Sequence, residues 1–360
     1  MKVIFAGGGT GGHIYPAIAV ADELKMRVPD CEILFIGGTR GIERKIAGAS
    51  GYTVKTVEIM GMPRRPSPAF LPFTVKLGKS IMQCRGYIRE FKPSVVISTG
   101  GYVSGPAVLA ALSLRTSIAM IEGNAYPGIT NRAIARFADV VFLGVEDTIR
   151  HLPKLRDAIM TGIPVRKGID SADSGEAAKM YGFDPEAPAL LIFGGSQGSR
   201  AINYAVSEAV GDIAAAGIQV LWQTGHKSHE EYRCYESDSV RVVPYIERME
   251  LAYALADLVI SRAGMMSIAE MTACGLPGIL IPLPTAAENH QERNAQALAD
   301  AGAAEMIRER DLEGAKLARR VIGLMNSTSL AVMADASKRL GNIRASSLIV
   351  DTLISRFGVN

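Results

Sequence analysis

Short apolar, β-branched runs alternate with stretches of helical period along almost the whole chain. That alternation predicts βαβ units and mostly parallel sheets. In the first half the predicted strands are Lys2–Ala6, Cys31–Ile36, Thr53–Glu58, Val95–Ser98, Ser117–Ile121, Val140–Leu143 and a short one at Ala158–Met160. A second series follows at Ala189–Phe193, Gln219–Gln223, Val240–Val243, Leu258–Ser261, Gly278–Leu283 and Ala303–Ile307. Three helical stretches then run from Leu312 to Phe357 without another strand.

The two series echo each other. Phe5-Ala6-Gly7-Gly8-Gly9-Thr10-Gly11-Gly12-His13 and Phe193-Gly194-Gly195-Ser196-Gln197-Gly198-Ser199 are each an apolar strand, a glycine turn and a helix start. Between the series, Thr161-Gly162-Ile163-Pro164 is a natural exit from the first domain, and Ile169–Pro188 is polar with a short helical patch. The expected fold class is α/β: two Rossmann-like parallel-sheet domains facing across a deep cleft, with ligands beyond the carboxyl ends of the strands.

Composition agrees with two domains. The 360 residues are 48% apolar and 21% charged, enough for a sizeable core in each half. Cys31, Cys84, Cys234 and Cys274 are far apart, without metal-ligand spacing, and read as reduced thiols. Lys2 leads straight into a strand, so no signal peptide is expected, and no apolar run reaches the roughly 18–20 residues of a spanning helix. The net charge of +3 is unevenly held. Residues 1–165 carry 20 Lys and Arg against 12 Asp and Glu, and residues 166–360 carry 19 against 24. A basic first half suits an anionic partner such as phospholipid or pyrophosphate.

Glycine density carries the chemistry. Gly7, Gly9 and Gly12 satisfy G-x-G-x-x-G, but the second strand ends in Gly37-Gly38-Thr39-Arg40 where an NAD site wants an acid. Arg40 keeps an NADP-binding oxidoreductase open as an alternative. The amides of such a turn, at a helix N-terminus, form an anion cradle. His13 beside it is the leading candidate for a general base, with Glu122 the competitor. In the second half, Arg262-Ala263-Gly264 before a helix over Met265–Cys274 suits a diphosphate, and Glu270 on that helix suits ribose hydroxyls. The amide-rich run Pro284–Asn294 suits sugar hydroxyls.

Gly8–His13, Gly100-Gly101-Tyr102-Val103-Ser104-Gly105-Pro106, Gly194–Gly198 and Ser267-Ile268-Ala269-Glu270 occur in this order. Together they resemble the MurG family of GT-B glycosyltransferases, over nearly the whole chain. The resemblance implies an acceptor and membrane-associating domain over residues 1–163, a UDP-sugar donor domain over 164–340, and a last helix within 341–360 crossing back to the first domain. It implies inverting transfer of N-acetylglucosamine from UDP-N-acetylglucosamine to the C4 hydroxyl of the undecaprenyl-linked lipid I, making lipid II for peptidoglycan.

Residue by residue, the resemblance assigns Ser196 and Gln197 to the donor phosphates and cleft, and Ile246 to uracil through its backbone. Arg262, Gly264, Met265 and Met266 become the diphosphate turn, Glu270 the ribose carboxylate, Gln291 and Asn294 the sugar amides, and Arg166 the hinge arginine. Thr10, Gly11, Gly12 and Asn124 are also counted among the donor contacts. Thr10 to His13 and Gly100 to Ser104, with Tyr102 and Asn131, match the acceptor side, where glycine turns hold the lipid diphosphate. One departure stands out: the family's His-Glu-x-Asn reads Ile121-Glu122-Gly123-Asn124 here.

The chain contains no Asp-x-Asp, so no metal or other cofactor is expected. Between Met60 and Lys92 lie seven Lys and Arg and one acid, Glu90. Phe70, Leu71 and Phe73, ringed by Arg64, Arg65, Lys76 and Lys79, suit an interfacial membrane contact, which the resemblance implies is with the cytoplasmic face of the inner membrane. Other cell-wall synthesis enzymes are implied as partners, and nucleic acid is not. The alternatives are a related GT-B enzyme building membrane glycolipids and a UDP-N-acetylglucosamine 2-epimerase-like isomerase.

Overall fold

The computed structural model describes the chain except Thr10, residues 40–46, Ala49, residues 62–69, Ala287, Glu288, Val359, Asn360 and the side chain of Phe70. The chain divides into two units. One comprises Met1–Lys167 together with Arg344–Asn360, the other Gly168–Ile343.

In the first unit seven strands form one parallel sheet. They are β1 (Lys2–Gly7), β2 (Glu32–Gly38), β3 (Thr53–Val57), β4 (Val95–Gly100), β5 (Ser117–Glu122), β6 (Val140–Leu143) and β7 (Ala158–Met160). Their order is 3-2-1-4-5-6-7. Every residue of β4 is buried, as expected of parallel strands covered on both faces. One face packs Phe5, Phe35, Ile97 and Phe142 against the helix Gly11–Arg27 and Ile349, Val350 and Leu353 of the helix Ala345–Phe357. The other packs Ile4, Ile36, Val96 and Met120 against the helices Ser104–Ser113 and Phe70–Phe91.

The second unit repeats the plan with β8 (Ala189–Phe193), β9 (Gln219–Gln223), β10 (Val240–Val243), β11 (Leu258–Ser261), β12 (Gly278–Leu280) and β13 (Ala304–Met306). They are parallel in the order 10-9-8-11-12-13.

Both orders reverse direction once, between β1 and β4 and between β8 and β11. At such a switch point the two turns leaving neighbouring strands diverge to opposite faces and open a crevice at the carboxyl ends. Each sheet therefore places its glycine turns there, as two Rossmann-like halves do.

Several strand ends differ from the sequence reading by one to three residues. β12 stops at Leu280 rather than Leu283, because Pro282 has no N–H for the ladder. The first helix begins at Gly11, so Pro16 falls in its second turn and withdraws the N–H that would bond the Gly12 carbonyl.

Candidate functional site

In the first unit the turns after β1 and β4 interlock. Gly8 N donates to the Gly100 carbonyl at 3.2 Å. Gly100 and Gly101 have φ of +101° and +79°, open to glycine at little cost. A methyl on Gly101 would lie 2.1 Å from the Gly8 carbonyl oxygen. His13 packs against Gly100: a Cβ there would sit 2.7 Å from its Cε1 and Nδ1. The Nδ1 of His13 meets the Thr99 carbonyl at 2.9 Å. A carbonyl only accepts, so Nδ1 carries the proton and, in the neutral ring, Nε2 holds the lone pair. Tyr102 packs its ring over Gly9, and Ser104 spends its hydroxyl on the Gly101 carbonyl at 2.7 Å.

Glu122 ends β5 and is 1% exposed. Its Oε1 accepts from Asn124 N at 2.9 Å and Asn124 Nδ2 at 3.0 Å, and its Oε2 from Asn131 Nδ2 at 2.6 Å. A carboxylate so enclosed fixes its neighbours. Asn131 Nδ2 would lie 3.2 Å from a Gly100 Cβ, so Glu122 braces the same glycine that His13 covers. The Oδ1 of Asn131 is buried and unpartnered among the described residues.

Ile121, standing where the resembling family has histidine, belongs to the core cluster packed on Gly11–Arg27, the opposite face to Met120. Alternation along β5 sends residue 121 into the core and residue 122 to the site's side. Arg166 stacks its guanidinium 4.9 Å over Tyr15, whose ring edge lies 3.2 Å from a Cβ built on Gly11. Thr10 lies outside the described residues.

In the second unit the turns after β8 and β11 are joined by Arg262. This guanidinium is 9% exposed and donates to the carbonyls of Ile281 and Pro282 at 3.2 Å each and to Ser199 Oγ at 2.7 Å. It also pairs with Glu309. Arg262 is therefore a buried strut beneath the turn. The helix Met265–Ala273 starts after Gly264 with no side-chain cap, which leaves its first-turn amides to other acceptors. Glu270 lies buried on this helix, and Tyr253 donates its hydroxyl to Glu270 Oε2 at 3.3 Å. Burial pushes the thiol of Cys274, beside Glu270, up to about 12.

Asn294 donates to the Ala263 carbonyl at 3.2 Å, and its own Oδ1 is buried without a partner among the described residues. Gln291 accepts from Leu283 N at 3.0 Å. The glycine turn after β8 leaves Ser196 and Gln197 exposed, with Gly195 and Gly198 at φ of +86° and +73°. Ile246 N donates to Gln223 Oε1 at 2.8 Å.

Sequence reasoning missed Thr99, Ser199, Gln223, Tyr253 and Glu309. Ser199 carried a local signal, as the N-cap that accepts from Ile202 N. The others act across strands, and no spacing along the chain announces them.

Along the helix Phe70–Phe91, Leu71 is 73% and Met82 65% exposed, with Val75 exposed between them on the same face. Ile81 is half-buried against the core, and Lys76 pairs with Glu58 at 2.8 Å. Lys79 is exposed, Phe73 is half-buried, and Arg64 and Arg65 lie outside the described residues. Among the described residues no helix is long and apolar enough to cross a membrane, and no group of three or more His, Cys, Asp or Glu could hold a metal ion.

Two Rossmann-like parallel sheets, each with a glycine turn at its switch point, have the architecture of the GT-B fold. Residues 3–143 match the glycosyltransferase family 28 N-terminal domain and residues 189–349 its C-terminal domain. A UDP-N-acetylglucosamine–N-acetylmuramyl-(pentapeptide) pyrophosphoryl-undecaprenol N-acetylglucosamine transferase of Moorella thermoacetica is 39% identical over 365 residues, covering 98% of each chain. The enzyme of that name from Lactiplantibacillus plantarum is 38% identical, covering 95% of each. The chain belongs to this family of glycosyltransferases. The crystal structure of Acinetobacter baumannii MurG is 27% identical, with a TM-score of 0.78 over 98% of this chain and 99% of that one. A UDP-GlcNAc 2-epimerase from Neisseria meningitidis bound to UDP-GlcNAc, at 16% identity and TM-score 0.68 over 99% and 100%, shares the fold alone.

Proposed function

We infer that the chain transfers N-acetylglucosamine from UDP-N-acetylglucosamine to the C4 hydroxyl of undecaprenyl-pyrophosphoryl N-acetylmuramyl-pentapeptide, with inversion. The observation that carries this is 39% identity to transferases of that name across 98% of both chains. In the transfer, the bond from the anomeric carbon to the UDP oxygen breaks and the bond to the acceptor O4 forms. The hydroxyl proton passes to a base, and UDP leaves with the bonding electrons.

His13 is the base in this reading. Its support is the Nδ1 bond to Thr99, which aims the basic electron pair of the neutral ring to Nε2. Glu122, enclosed by three donors, is read as the brace for Asn124 and Asn131. The acceptor's diphosphate lies against Thr10–His13 and Gly100–Ser104, with Tyr102 and Asn131 alongside. On the donor, Gly264, Met265 and Met266 offer amides to the diphosphate, and Arg262 supplies positive charge from beneath. Ser196 and Gln197 flank the phosphates, Glu270 takes the ribose hydroxyls, and Gln291 and Asn294 the sugar. Ile246 meets uracil through its backbone. No divalent ion is required, so activity persists in excess EDTA.

The acceptor is lipid-linked, and the exposed Leu71, Val75 and Met82 with Lys79 give the enzyme a peripheral footing on the cytoplasmic face of the inner membrane. Incubation with radiolabelled UDP-N-acetylglucosamine and a short-chain lipid I analogue tests the whole reading. A lipid-linked disaccharide is expected. Hydrolysis or epimerisation of the donor without it would refute the assignment.

A further inference from the structure

Beyond the carboxyl ends of β12 and β13 lies a cavity of about 540 Å³. One wall is the loop after β12, with Pro282 and Pro284, and the start of the helix His290–Asp300, with Asn289 and Glu292. The other is the turn after β13, with Arg308, Glu309 and Arg310. The charges on these walls are unequally committed. Glu292 accepts from Asn289 Nδ2 at 2.6 Å and from Arg308 Nε at 2.7 Å, and these bonds hold its carboxyl below the usual range. Glu309 pairs with the buried Arg262. Both acids are therefore already neutralised. The guanidiniums keep donors in hand: among the described residues the Nη groups of Arg308 make no hydrogen bond. Arg310 makes none either, standing 3.7 Å from Asp311 with its side chain 77% exposed.

What the cavity offers is thus unused guanidinium N–H groups beside two proline rings. Such donors match the paired oxygens of a carboxylate or phosphate, and the prolines suit an aliphatic body. A cavity of this size takes a drug-sized ligand rather than a bare ion. Its place narrows the choice. Glu292 lies between Gln291 and Asn294, on the helix start read as holding the donor's sugar, and the acceptor must meet that sugar. We propose that the cavity is a subsite for the acceptor's pentapeptide, with Arg308 and Arg310 gripping a peptide carboxylate. The proposal rests on the transfer reading above and deepens it by naming what reads the peptide. A phosphate suits the walls less, since Glu292 and Glu309 repel a dianion more than a singly charged carboxylate. The grip is remote from the reacting O4, so its loss belongs in acceptor binding rather than in the chemical step.

The test is steady-state transfer by the full chain to three short-chain lipid I analogues. One carries the pentapeptide, one the same peptide with its carboxylates amidated, and one no peptide. Wild type should show an acceptor KM about tenfold lower for the first than for the other two. Arg310→Gln should erase that difference by raising KM for the first alone, with kcat and donor KM held. Arg310→Lys, which keeps the charge but not the fork, should restore part of it. Three analogues used alike by wild type, a preference that survives in Arg310→Gln, or a rise in KM shared by all three would overturn the proposal. Transfer to none of them by wild type would sink the transfer reading, and this proposal with it.

Discussion

Arg262 and Ser199 are hydrogen-bonded at 2.7 Å, and this bond joins the turns that leave β8 and β11. Ser199 also caps the helix Arg200–Ala215. The same hydroxyl therefore starts one helix and anchors the arginine beneath another. Arg262→Met would leave Glu309, Ser199 and two carbonyls without their donor. Leaving buried acceptors without their donor costs about 1–3 kcal/mol. A clear fall in melting temperature is expected, and a variant as stable as wild type would contradict the strut.

The proposed base is tested by His13→Ala, which should cut turnover by roughly 10²–10⁴-fold with UDP affinity unchanged. Glu122→Gln should act differently. Its amide must present two hydrogens to one of three donors that now point at a carboxylate. A moderate loss of turnover with the wild-type pH profile is expected. Complete loss in Glu122→Gln beside a near-normal His13→Ala would exchange the two roles.

Gly100→Ala is a geometric test of the acceptor turn. The methyl would meet His13 at 2.7 Å and Asn131 at 3.2 Å, at a φ of +101°. The backbone cost is about 1–3 kcal/mol, and displacing the base by an ångström costs about a hundredfold in rate. Steady-state kinetics should show kcat falling while donor KM holds.

Membrane binding should depend on Leu71 and Met82, which lie exposed on one helix face. The double change to serine removes two apolar anchors and should weaken sedimentation with anionic vesicles by about tenfold or more. The activity on a short-chain, water-soluble acceptor should survive. Unchanged sedimentation would move the membrane contact elsewhere.

Burial pushes the Cys84 thiol up to about 12, from 9.0. Because the folded pKa lies above the unfolded one, the thiol favours folding below pH 9, and that advantage disappears as pH rises through 9 toward 12. Cys84 should resist alkylation at pH 8 in the native protein and react on unfolding, as mass spectrometry of labelled peptides would show. Rapid native labelling would contradict its burial.

The strands were legible because parallel strands, buried on both faces, write themselves as apolar runs, as Val95–Ile97 and Ala189–Phe193 do. The glycine turns were legible for the same local reason. Candidate residues such as Glu122 could be singled out from sequence, but not what they touch. That Glu122 is enclosed by Asn124 and Asn131 depends on a loop folding back on a strand end. That Arg262 is held by Ser199 and Glu309 depends on strand order, which no local pattern encodes. Gln223 shows the limit best: on paper it is one more polar residue ending a strand, and only the adjacency of β8, β9 and β10 gives its amide two partners.

The helix Ala345–Phe357 places Ile349, Val350 and Leu353 in the core beside the helix Gly11–Arg27, and Arg27 pairs with Asp351 at 2.6 Å. During synthesis, residues 1–167 emerge long before these side chains do, so the half of the molecule made first is the last to be finished. Expressed alone, that stretch would expose the apolar strip the final helix covers, and would be held by chaperones or aggregate.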